Sequence, residues 1–197
     1  MRTRNPQKER ALREQALEMI VEKGFDGLSM QKLAKAAGVS PATIYIYYKD
    51  RDDLILQLYA EEMAKMTEAS LAGFDPDLPF DKGLKVQWIN RARYFMKHPR
   101  EAHFLEQVRY SPLHERALKV VPSAFIDAMR TFCANAIRRK ELVRVPVEIF
   151  WSVAYAPLYQ LVKYHLHGKG MPGTGPFVLD EKTMSRTLEL VLKALKP

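Results

Sequence analysis

The sequence predicts an all-α protein, with a small N-terminal domain of three helices joined by a long helix to a larger C-terminal helical domain. Apolar residues recur at three- and four-residue spacing along most of the chain. No stretch shows the sustained two-residue alternation typical of strands. Residues 28–58 hold two short helical patterns around a glycine, followed by the start of a long one. We place the domain boundary after residue 50, so the expected domains are 1–50 and 51–197.

Composition and charge narrow the class of protein. The chain has 197 residues, 47% of them hydrophobic, which is enough for a sizeable core. Its net charge of +8 favours a polyanionic partner, and residues 1–51 hold ten Lys/Arg against six Asp/Glu. The single cysteine, Cys133, excludes an intramolecular disulfide. No apolar run approaches the roughly 20 residues of a membrane span, so we expect a cytoplasmic protein without a membrane segment.

The N-terminal segment predicts a basic arm and a first helix. Residues 1–10 carry four cations, Arg2, Arg4, Lys8 and Arg10. They are either a frayed terminus or an arm that contacts phosphates, and the sequence favours neither alternative. The first helix is expected from about Gln7 to Lys23, and Gly24 ends it.

Residues 29–49 predict two short helices joined by a tight turn. Ser29 is a good N-cap for the first, and Gly38 stands where that helix must stop. Ser40 is a second N-cap, with Pro41 at the first helical position, and this helix is expected to run to Lys49. Two such helices form a helix-turn-helix, whose second helix enters the major groove of DNA.

Further helices fill the rest of the chain. Asp50 caps a long helix that is expected to reach Leu71, and a turn-rich break follows at residues 73–79. Later helices are expected at about 81–97, 100–110, 113–140, 146–167 and 180–195. Pro122 and Pro157 should interrupt two of these. The glycine-rich residues 168–179 predict a surface loop.

The outward face of the helix-turn-helix supplies the candidate DNA contacts. Pro41 and Ala42 offer apolar contact to thymine methyl groups, and Gln31 suits a bidentate contact to adenine. Hydroxyl and amino groups can donate to phosphates, which positions the protein without reading sequence. The predicted DNA-contacting residues are Ser29, Gln31, Ser40, Pro41, Ala42, Thr43, Tyr45, Tyr47, Lys49 and Arg51. The predicted inward-facing residues are Leu33, Val39, Ile44, Tyr48 and Leu54.

The run AKAAGVSPATIYIYYKDRDDLI, residues 34–55, resembles the DNA-binding domain of TetR-type transcriptional regulators. The resemblance extends over about residues 7–60, with Tyr48 where the family commonly carries Phe and Ile46 where an aromatic or polar residue is common. It implies a homodimer that forms through the last two predicted helices and binds a palindromic operator in double-stranded DNA. It also implies that a small molecule in the C-terminal domain releases a repressor from its operator.

The C-terminal half is rich in aromatic residues, which suits either an ordinary helical core or a ligand cavity. The resemblance places a pocket for a small apolar or aromatic ligand here. The expected wall is Trp88, Phe95, Phe104, Phe125, Met129, Trp151, Tyr155 and Tyr159, with Arg91 or His103 as a polar anchor. An apolar stripe on the last helix suits either a dimer surface or packing on its own chain, and it comprises Leu188, Val191, Leu192 and Leu195.

Catalysis, metal binding and cofactor binding have no support in the sequence. The five histidines lack the spacing of a metal site, and no nucleophile motif is present. We therefore expect a regulator and not an enzyme, with the long helix after Asp50 carrying a ligand signal between its domains. One alternative is a DNA-binding regulator without a small-molecule inducer, controlled by a protein partner. Another is a ligand-binding or catalytic helical protein with a vestigial N-terminal domain.

Overall fold

The structure, a computed structural model, describes residues 5–197, so the predicted arm residues Arg2 and Arg4 lie outside the described residues. Residues 5–197 form α-helices and contain no β-strand, which confirms the predicted fold class. The helices are α1 (Pro6–Gly27), α2 (Met30–Ala36), α3 (Pro41–Ile44), α4 (Arg51–Leu71), α5 (Phe80–Lys97), α6 (Pro99–Arg109), α7 (His114–Leu118), α8 (Ser123–Arg138), α9 (Val147–Ala154), α10 (Ala156–His167) and α11 (Glu181–Ala194).

The chain divides into two compact units. The first unit holds the residues up to Lys65 together with Arg100–Pro122, and the second holds Met66–Pro99 together with Ser123–Pro197. Helix α4 therefore contributes residues to both units. The predicted domain boundary after residue 50 stays a prediction. The two compact units are defined by packing, and the first of them also contains the start of α4 and residues 100–122.

Local capping explains where the helices of the first unit begin. Each predicted N-cap side chain accepts a hydrogen bond from the backbone N–H three residues later: Ser29 from Lys32 at 3.2 Å, Ser40 from Thr43 at 3.3 Å and Asp50 from Asp53 at 2.8 Å. These bonds satisfy N–H groups that have no partner inside the helix. The predicted starts of α2, α3 and α4 are thus confirmed.

Helix breaks occur where glycine and proline predicted them. The helical conformation of α1 is interrupted at Gly24, which has φ +66° and ψ −176°, and one more turn follows to Gly27. The region around Pro122 separates α7 from α8, and Pro157 lies in the first turn of α10, just after α9 ends. Proline cannot donate the backbone hydrogen bond that a continuous helix needs.

Helix α3 is shorter than predicted. It ends at Ile44, where the sequence pattern favoured a helix to Lys49. The N–H of Tyr47 donates to the carbonyl of Ile44 at 2.9 Å, a three-residue bond that tightens the chain into a turn. Ile46 also bonds three residues back, whereas the N–H of Tyr48 bonds four residues back to Ile44 at 3.0 Å, so the α-helical pattern is not continuous after Ile44.

Helix α5 organises the second unit by packing against α8 and α10. Trp88 and Tyr155 are completely buried in this core, and Phe132 covers Gly83. A β-carbon added at Gly83 would lie 2.4 Å from the ring of Phe132, so only glycine allows this close approach.

The turn between α2 and α3 provides a direct stability test. Gly38 has φ +64°, a conformation that costs other L-residues about 1–2 kcal/mol. An added β-carbon would meet nothing within 4 Å, so the substitution acts through the backbone alone. Gly38→Ala is expected to lower the free energy of unfolding by about that amount in denaturant titration. Gly38→Asn is the control and should cost less, since asparagine tolerates this conformation; equal losses would contradict the backbone explanation.

Candidate functional site

The outward face of the first unit carries most of the predicted DNA-contacting residues. The side chains of Gln31, Ser40, Pro41, Ala42, Tyr45 and Lys49 are exposed, and those of Ser29, Thr43 and Arg51 are half-buried. The hydroxyl oxygens of Ser40 and Thr43 lie 2.9 Å apart in a hydrogen bond, which orders the start of α3. The face thus combines an apolar tip, amide and hydroxyl donors, and the cation of Lys49.

Tyr47 is the exception, and the prediction that it faces outward is wrong. Its side chain is only 5% exposed. Its hydroxyl accepts a hydrogen bond from the N–H of Asn5 at 2.9 Å and lies 3.3 Å from the Asn5 carbonyl, to which it can donate. The prediction assumed that α3 continues past Ile44, and the turn that replaces the helix directs this ring inward. Tyr47 therefore ties the end of the helix-turn-helix to the start of α1.

Lys49 is held at the junction between that turn and α4. Its N–H donates to the carboxylate of Asp53 at 2.8 Å, while the N–H of Asp53 donates to Asp50 at 2.8 Å. These two hydrogen bonds fix the backbone at the start of α4 and leave the Lys49 side chain exposed. A cation at a fixed backbone position suits contact with a phosphate.

Tyr48 faces the core, as predicted, and its hydroxyl has a specific partner. The side chain is 1% exposed, and its hydroxyl accepts a hydrogen bond from Nε of Arg13 at 3.2 Å. The Arg13 guanidinium also pairs with Glu9, at 2.9 Å, and with Glu61 on α4. Burial raises the pKa of Tyr48, and the hydrogen bond and charge of Arg13 act in the opposite direction. The sequence analysis missed Arg13 and Glu61, although a tyrosine hydroxyl in a core position signals a buried partner.

Glu61 completes this network in the ionised state. Burial acts to raise its pKa, but hydrogen bonds and charges from Lys65 and Arg13 outweigh burial, and the pKa is lowered. A lowered pKa means that the folded protein favours the carboxylate. The network therefore contributes stability at neutral pH and loses it as the pH falls through the lowered value. It joins α1, the turn after α3 and α4 within the first unit.

In the second unit, Arg91 on α5 is completely buried. Its Nε donates to the amide oxygen of Gln87 at 3.2 Å. Its Nη1 donates to the hydroxyl of Tyr159 at 2.7 Å and, at 3.7 Å, to the sulfur of Met66. Its Nη2 is buried without a hydrogen-bond partner. A buried guanidinium with an unused donor is unusual, since buried polar groups are nearly always paired.

Aromatic rings surround this guanidinium. Its central carbon lies 4.8 Å from the ring centroids of Phe125 and Tyr155 and 5.4 Å from that of Trp151. Cations over ring faces are stabilised by the ring quadrupole, although less than by a full counter-charge. Burial raises the pKa of Tyr155, and the nearby charge of Arg91 acts in the opposite direction.

The second unit therefore brings together eight of the ten residues expected around a ligand: Trp88, Arg91, Phe95, Phe125, Met129, Trp151, Tyr155 and Tyr159. It does not bring His103 and Phe104 to them, because both lie on α6, in the part of the chain that packs in the first unit. Phe104 is buried in that unit, and His103 is exposed, so the expectation of His103 as an anchor inside a pocket is not met. Of the two alternative anchors, Arg91 is the one among the rings.

Two clefts lie in another part of the described chain. Two open clefts of about 580 and 540 Å³ are lined by residues of the first unit. Residues 5–197 contain no group of three or more His, Cys, Asp or Glu side chains able to hold a metal ion. Over the same residues, no helix has the length and apolar character needed to cross a membrane.

Similarity to known proteins agrees with this geometry. The sequence profile of bacterial regulatory proteins of the tetR family matches residues 12–58. An uncharacterized HTH-type transcriptional regulator of Haemophilus influenzae is 29% identical over 137 residues, which are 69% of this chain and 71% of that protein. A TetR family transcription regulator of Marinobacter aquaeolei superposes with a TM-score of 0.78 at 24% identity, covering 100% of this chain and 99% of the other. Residues 12–58 of this chain therefore match the tetR-family DNA-binding domain, and the comparisons together support a TetR-type transcriptional regulator.

The fold of the chain is shared with a protein that was solved with a bound molecule. FadR of Bacillus subtilis, solved in complex with stearoyl-CoA, superposes with a TM-score of 0.73 at 18% identity, covering 94% of this chain and 98% of that one. The relatives are transcriptional regulators, and this protein is accordingly a regulator and not an enzyme.

The apolar stripe on α11 packs within its own chain. Leu188, Val191 and Leu195 are at most 6% exposed, and Leu192 is partly buried against the same core. Of the two alternatives for this stripe, own-chain packing accounts for these residues. Other apolar side chains on the last three helices remain exposed: Val147, Ile149, Leu166 and Leu190.

Proposed function

We propose that this TetR-family regulator is a cytoplasmic homodimeric repressor that binds a palindromic DNA operator and is released by a small molecule bound in its second unit. One observation supports the DNA-binding part above the others. Gln31, Pro41, Ala42 and Lys49 are exposed together on the family's DNA-binding domain, held by capped helix starts.

These side chains have separate roles in the proposal. Pro41 and Ala42 at the tip of α3 contact thymine methyl groups, and Gln31 on α2 reads a base edge. Lys49 and the half-buried Thr43 contact phosphates and set the register. Tyr45, exposed by 56%, contributes a further phosphate contact. Tyr47 supports this face from behind through Asn5 and has no direct DNA contact in the proposal.

Substitutions at Lys49 and Gln31 are expected to affect DNA binding in different ways. Lys49→Ala should weaken binding to all sequences alike and reduce the slope of log affinity against log salt by about 0.9, because one phosphate contact is lost. Gln31→Ala should instead reduce discrimination at one base pair by about 1–3 kcal/mol. The measurement is fluorescence anisotropy with a mapped operator and single-base variants, at several salt concentrations.

The matched control is Lys85→Ala, which removes an exposed lysine on α5 in the second unit. It should leave both the affinity and the salt slope unchanged. If Lys49→Ala and Gln31→Ala behave like this control, the proposed DNA-contacting face is wrong.

Dimerisation is proposed through the last two predicted helices, 146–167 and 180–195, which correspond to α9 with α10 and to α11. A palindrome is read by two helix-turn-helix units about 34–36 Å apart, which requires two copies of the chain. The side chains of Leu166 on α10 and Leu190 on α11 are 37% and 61% exposed. Burying these apolar side chains against a second copy of the chain would stabilise the dimer. Leu188 and Val191 do not support this surface, because they already pack on their own chain.

Ligand response is proposed as a shift between two conformations of the dimer. A ligand weakens DNA binding only to the extent that it binds the non-binding conformation more tightly. Helix α4 is the proposed route for the signal, because its residues belong to both units. The aromatic cluster around Arg91 supports a ligand site in the second unit, and a structural relative with bound stearoyl-CoA supports it by analogy. A ligand that binds tightly and leaves operator affinity unchanged would contradict this mechanism.

Control by a protein partner is the second candidate. The observation in its favour is that the rings lie directly against Arg91, while the open clefts are lined by the first unit. Under this alternative, small molecules that occupy the second unit would leave operator affinity unchanged, and a partner would compete with DNA.

A further inference from the structure

The strongest unexplained feature of the second unit is the charge of Arg91. Within the described part of the chain, no carboxylate pairs with its guanidinium. The side chain is 0% exposed, so water does not solvate it from the surface. Arginine keeps its proton even when it is buried, so the charge cannot be removed by titration. An isolated buried charge is costly unless it is paired.

The neighbouring polar groups are already satisfied. The amide nitrogen of Gln87 donates to the carbonyl of Ser70 at 2.8 Å, which commits its amide oxygen to face Arg91. The indole N–H of Trp88 donates to the carbonyl of Ala154 at 2.8 Å. Nη2 of Arg91 is therefore the donor left over in this cluster. The partner that best matches a buried cation with a spare donor is an acceptor that carries negative charge.

We infer that Arg91 binds the carboxylate of a small organic acid, and that the ligand of this regulator is a monocarboxylate with an apolar or aromatic body. This inference rests on the proposed function, since it names the class of ligand for the proposed site. Nη2 has two free hydrogens. Once Nη1 releases the hydroxyl of Tyr159, the two nitrogens offer the parallel pair of N–H donors that matches a carboxylate. The rings of Phe125, Trp151 and Tyr155 lie beside the guanidinium and would contact the apolar body.

Charge balance favours a carboxylate over a phosphate. A monocarboxylate neutralises the single charge of Arg91 and leaves the buried site without net charge. A phosphate monoester carries close to two negative charges at neutral pH and would leave one of them uncompensated. Within the cluster described above, no second cation pairs with the site, so the monoanion fits better.

A ligand would reach Arg91 past the side chains of this cluster that are only partly buried. Trp151 and Tyr159 are half-buried, as is Phe95, whose ring centroid is 5.6 Å from that of Tyr159. Tyr159 also occupies Nη1 of Arg91 through its hydroxyl. A small rotation of Tyr159 would both open the cluster and free Nη1. In the absence of ligand, the ring faces serve as partial substitutes for the missing anion.

The test compares acids with their own amides on the unmodified chain of 197 residues. Naphthalene-1-acetate and octanoate are titrated by calorimetry beside naphthalene-1-acetamide and octanamide, and beside 1-naphthyl phosphate. Each amide keeps the body of its acid and loses the charge. At least one acid should bind about 10- to 100-fold more tightly than its amide, because a hydrogen-bonded charge pair is lost. The phosphate should bind more weakly than naphthalene-1-acetate.

The second part of the test uses substitutions at two arginines of α5. Arg91→Met replaces the buried cation by an apolar side chain of similar length and should remove the preference for the acid. Arg93→Met makes the same change at an exposed position of α5 and should leave the preference intact. The acid–amide comparison needs no variant, so it decides the inference even if Arg91→Met fails to fold.

The inference is wrong if the acids do not bind, or if the amides bind as tightly as the acids. It is also wrong if the phosphate binds more tightly than the carboxylate. An acid preference that survives Arg91→Met would likewise overturn it. Operator binding is measured separately with the same acids. If an acid binds through Arg91 and leaves operator affinity unchanged, the anion site stands and the proposed release mechanism fails. If no acid binds while another small molecule releases the operator, the anion site fails and the proposed function stands.

Discussion

Ile44→Ala is expected to lower the free energy of unfolding of the first unit by about 2–5 kcal/mol and to weaken operator binding severely. Ile44 is completely buried, so its truncation removes apolar contacts and leaves a cavity. Its carbonyl also accepts the hydrogen bonds from Tyr47 and Tyr48 that form the turn after α3. Amide hydrogen exchange over residues 12–58 should become faster, and anisotropy should report the loss of DNA binding.

Tyr45→Ala is the matched control, one residue further along the chain. Tyr45 is 56% exposed, and its truncation should change stability by no more than about 0.5 kcal/mol. It should weaken DNA binding while hydrogen exchange stays as in the unmodified protein. If the two variants destabilise the first unit equally, the assignment of inward and outward faces on α3 is wrong.

Trp88→Ala is expected to lower the free energy of unfolding of the second unit by about 3–5 kcal/mol. The ring is completely buried in the core formed around α5, and its removal leaves a large cavity. It also removes the indole N–H that bonds the carbonyl of Ala154 at the end of α9. Denaturant titration followed by hydrogen exchange should place the loss in α5, α9 and α10.

Trp88→Phe separates these two contributions. It keeps an aromatic ring in the core and loses the indole hydrogen bond, so we expect a smaller loss of about 1–3 kcal/mol. A loss as large as that of Trp88→Ala would show that the hydrogen bond to Ala154 dominates and that ring volume matters less.

The features that could be predicted from the sequence depend on neighbours within four residues. The hydroxyl of Ser29, the hydroxyl of Ser40 and the carboxylate of Asp50 each bond an N–H three residues later. Gly38 turns the chain because its own backbone permits φ +64°. Pro157 interrupts a helix because its ring removes a donor. None of these effects requires knowledge of another helix.

The failures come from partners far along the chain. Helical spacing from Thr43 placed Tyr47 outward, but its hydroxyl bonds the backbone of Asn5, 42 residues earlier. Phe104 was expected in the same pocket wall as Trp88, but residues 100–122 pack in the first unit and Trp88 belongs to the second. The sequence left two alternatives for the apolar stripe on α11, a dimer surface or packing on its own chain. The structure shows these residues packed in the core of their own chain.

The sequence by itself determined that this protein is helical, where its helix-turn-helix begins and turns, and which family it resembles, because caps, turns and apolar spacing act locally. Tertiary structure decided which tyrosine faces inward, which aromatic residues share a core, and that Arg91 is buried without a counter-charge. A side chain's burial and its partners depend on how distant segments pack, and local sequence does not encode that packing.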